Sequence, residues 1–266
     1  MSDSQTSSGL MTFEGHLEIL RKMLFHILIV VLFLSGVVFC FKRQTFEILL
    51  APRNSDFYTF QLIEKWMCSL GWNYHFSFSD TPLISTELSA QFMTHVTVAC
   101  ILGVLLASPY ILYKLFVFIT PALYDNEKKY SVLIAIIIYG LFIIGLLMTY
   151  YILFPISFQF LSSYQVDESV HNTITLDSYV TTFTTLAFIM GIVFQLPVIA
   201  FVAGKMDLID AALLRKYRPY ALILIMIIAA IITPPDIFTL VLVTIPIYLL
   251  YEICILILRR IGNNHM

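Results

Sequence analysis

Residues 219–251 read PYALILIMIIAAIITPPDIFTLVLVTIPIYLLY, and Asp236 is the only Asp, Glu, Lys or Arg among them. A helix pair in water needs a polar face, and neither half of this stretch has one, so lipid is the surrounding solvent. At its centre, Thr233-Pro234-Pro235-Asp236 removes two backbone donors and pushes the preceding residue away from helical geometry. The stretch therefore predicts a hairpin of two membrane helices, 219–232 and 237–258, that turns at the prolines. The first of these, about 14 residues, would reach about 21 Å against a hydrocarbon core of about 30 Å. Three readings stay open: the bilayer thins locally, the hairpin stops short of a full crossing, or neighbouring helices shield a short span.

The rest of the chain repeats the apolar pattern. Of 266 residues 59% are hydrophobic and 12% charged, and mean hydropathy is +0.89, well outside the range of a soluble domain. Stretches poor in Asp, Glu, Lys and Arg predict further spans over about 23–41, 90–117, 130–154 and 178–204, with a long loop 42–89 after the first. The fold class expected is an all-α integral membrane protein with six transmembrane helices in a single membrane domain covering 1–266. The polar start of the chain and the lack of a small-residue cleavage pattern after the first apolar run predict a retained helix.

Lys and Arg in the connections set the expected orientation. Arg21, Lys22, Lys114, Lys128, Lys129, Lys205, Arg215, Lys216, Arg218, Arg259 and Arg260 fall on one side of the six spans, and Lys42, Arg43, Arg53 and Lys65 on the other. Both termini are thus expected in the cytoplasm. Within the long outer loop, Phe60, Ile63, Trp66 or Met67 and Leu70 recur at helical spacing beside Glu64 and Lys65, predicting a short amphipathic helix at the outer surface.

Composition also excludes functions. A net charge of −2 leaves no basic patch for nucleic acid, and the four cysteines (Cys40, Cys68, Cys100, Cys254) stand too far apart for a CxxC metal or redox motif. No GxSxG, HExxH or paired intramembrane carboxylates occur, so neither catalysis nor a bound metal or cofactor is expected. His26 and His95 lie in or near spans, where a lone histidine more often satisfies a helix contact than binds metal.

Polar groups inside the hydrocarbon are the default functional suspects. Gln195, beside Pro197 in the fourth span, either bonds backbone freed by that proline or meets cargo or a partner helix. Asp236 is placed to cap the last span through a side-chain oxygen. Glu252, toward the cytoplasmic end, reads equally as structural, shielded by Arg259 or Arg260, or as functional. At the cytoplasmic surface Glu18 can pair with Lys22 one helical turn on, and Glu127 sits in the loop Tyr124-Asp125-Asn126-Glu127-Lys128-Lys129.

Four segments together resemble the TatC family. They are His16-Leu17-Glu18-Ile19-Leu20-Arg21, Phe118-Ile119-Thr120-Pro121-Ala122-Leu123-Tyr124 through Glu127, Phe194-Gln195-Leu196-Pro197-Val198, and Thr233-Pro234-Pro235-Asp236 followed by Pro246 and Tyr251-Glu252. The resemblance implies the receptor core of the twin-arginine pathway in the cytoplasmic (inner) membrane of a prokaryote. That machine exports folded proteins on the proton-motive force, with TatA/TatB-type single-span membrane proteins as partners and in an oligomer. It further implies that Glu127, Glu18, Arg21, Phe118, Pro121 and Leu123 form the signal-peptide site. Gln195 and Pro197 would face partner helices, and Pro52 and Asp236 would belong to the outer side.

Two residues depart from the family pattern. His-Leu-x-Glu-Leu-Arg would put a glutamate at position 19, where this chain has Ile19 with Glu18 before it; one helical step turns a side chain by about 100°. Gln195 stands where many members carry a glutamate, and an amide holds neither charge nor an exchangeable acidic proton. The competing functional reading is a proton-coupled small-molecule transporter, which needs a charged midplane site; a structural scaffold is the third.

Overall fold

The structure, a computed structural model, describes residues 13–71, 82–119, 131–165, 167 and 172–263. Backbone surrounded by lipid has to pair its polar groups within the segment, so the apolar runs are helical. In chain order the helices are α1 (Phe13–Cys40), α2 (Lys42–Leu50), α3 (Tyr58–Ser69), α4 (Ala90–Ile119), α5 (Ser131–Met148), α6 (Phe154–Ser163), α7 (Leu176–Val193), α8 (Leu196–Lys205), α9 (Ala211–Lys216), α10 (Arg218–Ile232) and α11 (Ile237–Asn263). A 3₁₀ turn, Ala51–Arg53, joins α2 toward α3, and a π-helical stretch, Thr149–Leu153, welds α5 to α6.

Six crossings result. Five helical runs are long and apolar enough to span a bilayer (Leu17–Cys40, Ala90–Leu115, Ala135–Ser163, Leu176–Lys205 and Ile237–Gly262), and α10 is a shorter sixth. Lys and Arg residues at the start of α1, the end of α4 and α8, in α9, at the start of α10 and the end of α11 mark one end of the bundle, the basic end. The far end holds α2, α3, the turn at 233–236, and a two-residue parallel pair of β1 (Leu83–Ile84) with β2 (Ile174–Thr175). That small strand pair ties the two far-end loops together in an otherwise helical molecule.

Prolines explain the breaks in the third and fourth spans. Pro155 has no N–H to give to the carbonyl four residues back, and the helix accommodates it with a π turn in which the Phe154 N–H reaches Thr149 O. The third span accordingly runs on to Ser163, nine residues beyond the expected end at 154. Pro197 likewise splits the fourth span into α7 and α8, with Gln195 between them at φ −81° and ψ −11°.

Close helix approaches occur where side chains are small. A Cβ on Gly103 would lie 2.8 Å from the Ser35 backbone, which is how α4 seats against α1, and a Cβ on Gly145 would lie 2.7 Å from Met190 O across the α5–α7 contact. Between these helices sits an aromatic core in which Phe154, Phe158, Tyr179 and Phe183 meet ring to ring at 4.9 to 6.0 Å. Edge-to-face geometry dominates, as ring quadrupoles favour.

Two expectations change. The loop helix is present as α3, but Phe60 points inward, 4% exposed, whereas Trp66 points away, 74% exposed. And α10 is not shielded by its neighbours: Ile225 and Ala229 are its buried residues, while Leu224, Ile227 and Ile231 face outward.

Candidate functional site

At the basic end, the first turns of α1 carry two of the expected site residues on the surface. Glu18 and Arg21 are exposed, and the Glu18 carboxylate accepts from Lys22 Nζ at 2.8 Å. An exposed pair of this kind is worth a few tenths of a kcal/mol, so it yields easily to a better-matched cation. Ile19, at the position where the family pattern puts glutamate, is exposed as well.

The register of α1 against α4 places the second motif. From the Ser35–Gly103 contact, seventeen residues down each antiparallel helix lead to Glu18 and to position 120, just past the end of α4. Glu18 and Arg21 therefore stand level with Phe118, a half-buried residue in the last turn of α4. Pro121, Leu123 and Glu127 lie outside the described residues.

Midway through the bundle, the break between α7 and α8 is stitched by Gln195. Its backbone N–H turns to Ile192 O at 2.9 Å instead of reaching four residues back. The side-chain Nε2 then donates to the Gly191 carbonyl at 3.4 Å and, across the helix interface, to Ile138 O of α5 at 3.1 Å. Pro197 withholds its N–H from Val193 O, four residues back; the carbonyl that Gln195 bonds is instead that of Gly191, left open by the turn of the Gln195 N–H. Its own Oε1 is buried and has no hydrogen-bond partner among the described residues. Pro197, buried, holds the first turn of α8 against the bundle.

Glu252 has a different partner from the one expected. Arg218, at the start of α10, donates through Nη2 to Glu252 Oε2 at 2.5 Å, and Tyr248 donates to the other oxygen at 3.1 Å. Tyr251 adds a bond to Leu214 O of α9 at 2.6 Å. Arg259 and Arg260 are not needed, because the hairpin returns Arg218 to the same level. No periodic signal along α11 announces this pairing; the chain reversal at 233–236 does.

At the far end Asp236 caps α11, its Oδ1 accepting from Thr239 N at 2.6 Å, while Oδ2 is buried without a partner among the described residues. Pro52 is buried in the 3₁₀ turn. Sequence reasoning missed what holds that turn: Tyr179 donates to Leu49 O at 2.9 Å, Tyr150 to Ile48 O at 2.8 Å, and Gln159 to Arg53 O at 3.0 Å. These are side chains of later spans reaching back more than a hundred positions, a separation that hides them from local patterns. His95 stacks on Phe39 at 4.2 Å, a helix contact of the kind expected for a lone membrane histidine. Among the described residues no three His, Cys, Asp or Glu side chains converge as metal ligands would.

The comparisons with known proteins identify the family. The family model "Sec-independent protein translocase protein (TatC)" matches residues 15–246. A TatC protein of Blattabacterium sp. subsp. Periplaneta americana is 33% identical over 252 residues, 93% of this chain and 94% of that one. The TatC of Escherichia coli K12 is 32% identical over 173 residues, 65% of this chain and 67% of its own length. A crystal structure titled as the twin arginine translocase receptor TatC superposes with a TM-score of 0.74 at 30% identity, covering 93% of this chain and 99% of that one. Nothing in these matches supports the small-molecule transporter reading. Matched along nearly its whole length by family model, relatives and solved structure alike, the chain belongs to the TatC family of Sec-independent protein translocase proteins.

Proposed function

We propose that this chain is the receptor subunit that binds twin-arginine signal peptides and, with TatA/TatB-type single-span partners, exports folded proteins on the proton-motive force without catalysing a reaction itself. The observation that carries the reading is the shared level of Glu18 and Arg21 with Phe118 at the basic end. Counted from the Ser35–Gly103 contact, Glu18 and Arg21 of α1 stand level with Phe118 in the last turn of α4, and Pro121, Leu123 and Glu127 follow Phe118 in the sequence. A cationic peptide arriving at the cytoplasmic face would meet both helix ends.

An arginine side chain presents a planar fork that a carboxylate grips through two parallel bonds, worth about 1.5–3 kcal/mol where the contact is partly desolvated. Glu127 is assigned the principal contact and Glu18 a lesser one, since Glu18 is turned from the family position by one helical step. Arg21 and Phe118 line the approach, and Pro121 and Leu123 shape the loop. Photo-crosslinking to a twin-arginine signal peptide is expected to be lost or strongly reduced by Glu127→Ala, and reduced less by Glu18→Ala. The opposite ranking would overturn the assignment. The orientation, with both termini in the cytoplasm, predicts that a cysteine at Asn126 stays unlabelled by impermeant maleimide in intact cells.

A further inference from the structure

Helix α3 has more apolar surface than the protein covers. At about 100° per residue, Tyr58, Leu62, Trp66 and Leu70 climb one edge of the helix, and Thr59, Ile63, Phe60 and Met67 continue the same apolar arc round to the bundle. Thr59 and Phe60 are buried against the third span, 8% and 4% exposed. The outer row is open: Tyr58 is 59%, Leu62 47%, Trp66 74% and Leu70 66% exposed. Glu64, Cys68, Gln61 and Lys65 occupy the remaining side, and Ser69 falls between Tyr58 and Leu62 at the end of the outer row.

The depth of the helix says what covers that row. The Thr59 hydroxyl donates to the Tyr151 carbonyl, and the rings of Phe57 and Tyr58 pack on the Tyr151 ring at 5.7 and 6.3 Å. Tyr151 belongs to the run Ala135–Ser163, whose 29 residues extend about 43 Å. A hydrocarbon core of about 30 Å can slide along such a run by about 13 Å. Counted from the start of α5 at Ser131, Tyr151 lies about 30 Å along the span, which puts it at the far-end boundary of the core or inside it. The start of α3, locked to Tyr151, shares its depth.

We infer that α3 is sunk into the far-end leaflet as a monotopic foot, with Tyr58, Leu62, Trp66 and Leu70 against acyl chains and the glycerol region of phospholipids. Tyr and Trp favour this boundary because a ring buries while its polar edge stays wet. Lys65 borders the row, where its stem can lie along lipid and its ammonium reach the headgroups.

The test uses the full chain in liposomes of phosphatidylethanolamine and phosphatidylglycerol. Of the two tryptophans in the sequence, Trp72→Phe leaves Trp66 as the sole emitter. Its emission is expected to lie to the blue, to fall by roughly half with phospholipid brominated near the glycerol, and to resist aqueous iodide. Quenching by iodide and not by the brominated lipid overturns the proposal. Blue emission quenched by neither also overturns it, and points to a second copy or a partner helix on the row. If the tryptophan variant folds poorly, nitroxides on single cysteines at Leu62 and at Gln61 on the polar side give the same answer. Oxygen should collide more with the label at 62 and a water-soluble nickel chelate more with the label at 61; equal accessibility refutes the foot.

Discussion

The third and fourth spans break for the same reason and are repaired to different degrees. In each a proline removes an N–H from the ladder, at Pro155 and at Pro197. The third span is patched from within the chain, although Ser157 Oγ beside it stays buried without a partner among the described residues. Its π turn re-pairs the amides, the freed Tyr151 carbonyl accepts from Thr59, and Phe154 fills the interior at 1% exposure. The fourth recovers by half, since Gln195 spends its amide N–H groups on Ile138 O and Gly191 O and leaves Oε1 buried without a partner among the described residues. A hydroxyl in that state can rotate toward an acceptor or donor. An amide oxygen cannot, because the bonds of its own nitrogen fix its direction. The first break is thus closed by a side chain of this chain, whereas at the second an acceptor stays without a donor among the described residues, which makes it the place to test for a donor from a partner.

Removing the ring that fills the closed break should have the largest effect. Phe154→Ala takes a side chain from contact with Phe158, Tyr179 and Phe183, and large-to-small changes at such sites cost about 3–5 kcal/mol. Thermal unfolding in detergent should show a large drop in Tm, with transport lost because the protein is lost. A near-wild-type Tm would mean that the third span is as open as the fourth.

At the incomplete break the balance reverses. Gln195→Leu removes cross-helix bonds worth about 1–2 kcal/mol at most, so the protein should still insert and melt near its usual temperature. Crosslinking to a TatB-type partner and transport of a twin-arginine precursor should both fall. If both are unchanged, the free oxygen has no ligand and Gln195 only packs.

Much of this contrast was legible in the residues. Apolar runs without charge give six crossings, and Thr233-Pro234-Pro235-Asp236 gives the hairpin, because a bilayer punishes unpaired backbone and unshielded charge more uniformly than water does. The cap formed by Asp236 follows from its position alone. Partners could not be read, because they depend on which helices become neighbours. Glu252 looked to nearby Arg259 and Arg260, yet Arg218 arrives through the hairpin. Gln195 was visible as a polar residue beside a proline, but not that Ile138, 57 positions earlier, would share its amide. Phe60 and Trp66 both fitted the apolar pattern of α3, and only packing separates the inward ring from the outward one.

The smallest effect is the most specific to the comparison. If the third break is closed because Thr59 supplies what Pro155 withholds, the two residues should be energetically coupled across a separation of nearly a hundred positions. Thr59→Val keeps the shape and deletes the hydroxyl, leaving the Tyr151 carbonyl unpaired in an apolar setting, at a cost of about 1 kcal/mol. Pro155→Ala restores an N–H that can turn back to the same carbonyl. In that background Thr59→Val should cost less, by about 0.5 kcal/mol or more, as a contact pair shows in a double-mutant cycle. Unfolding of the four proteins in one detergent measures the difference directly. Equal costs of Thr59→Val in the two backgrounds would mean that the hydroxyl does not stand in for the missing amide, and the third break would then be as unfinished as the fourth.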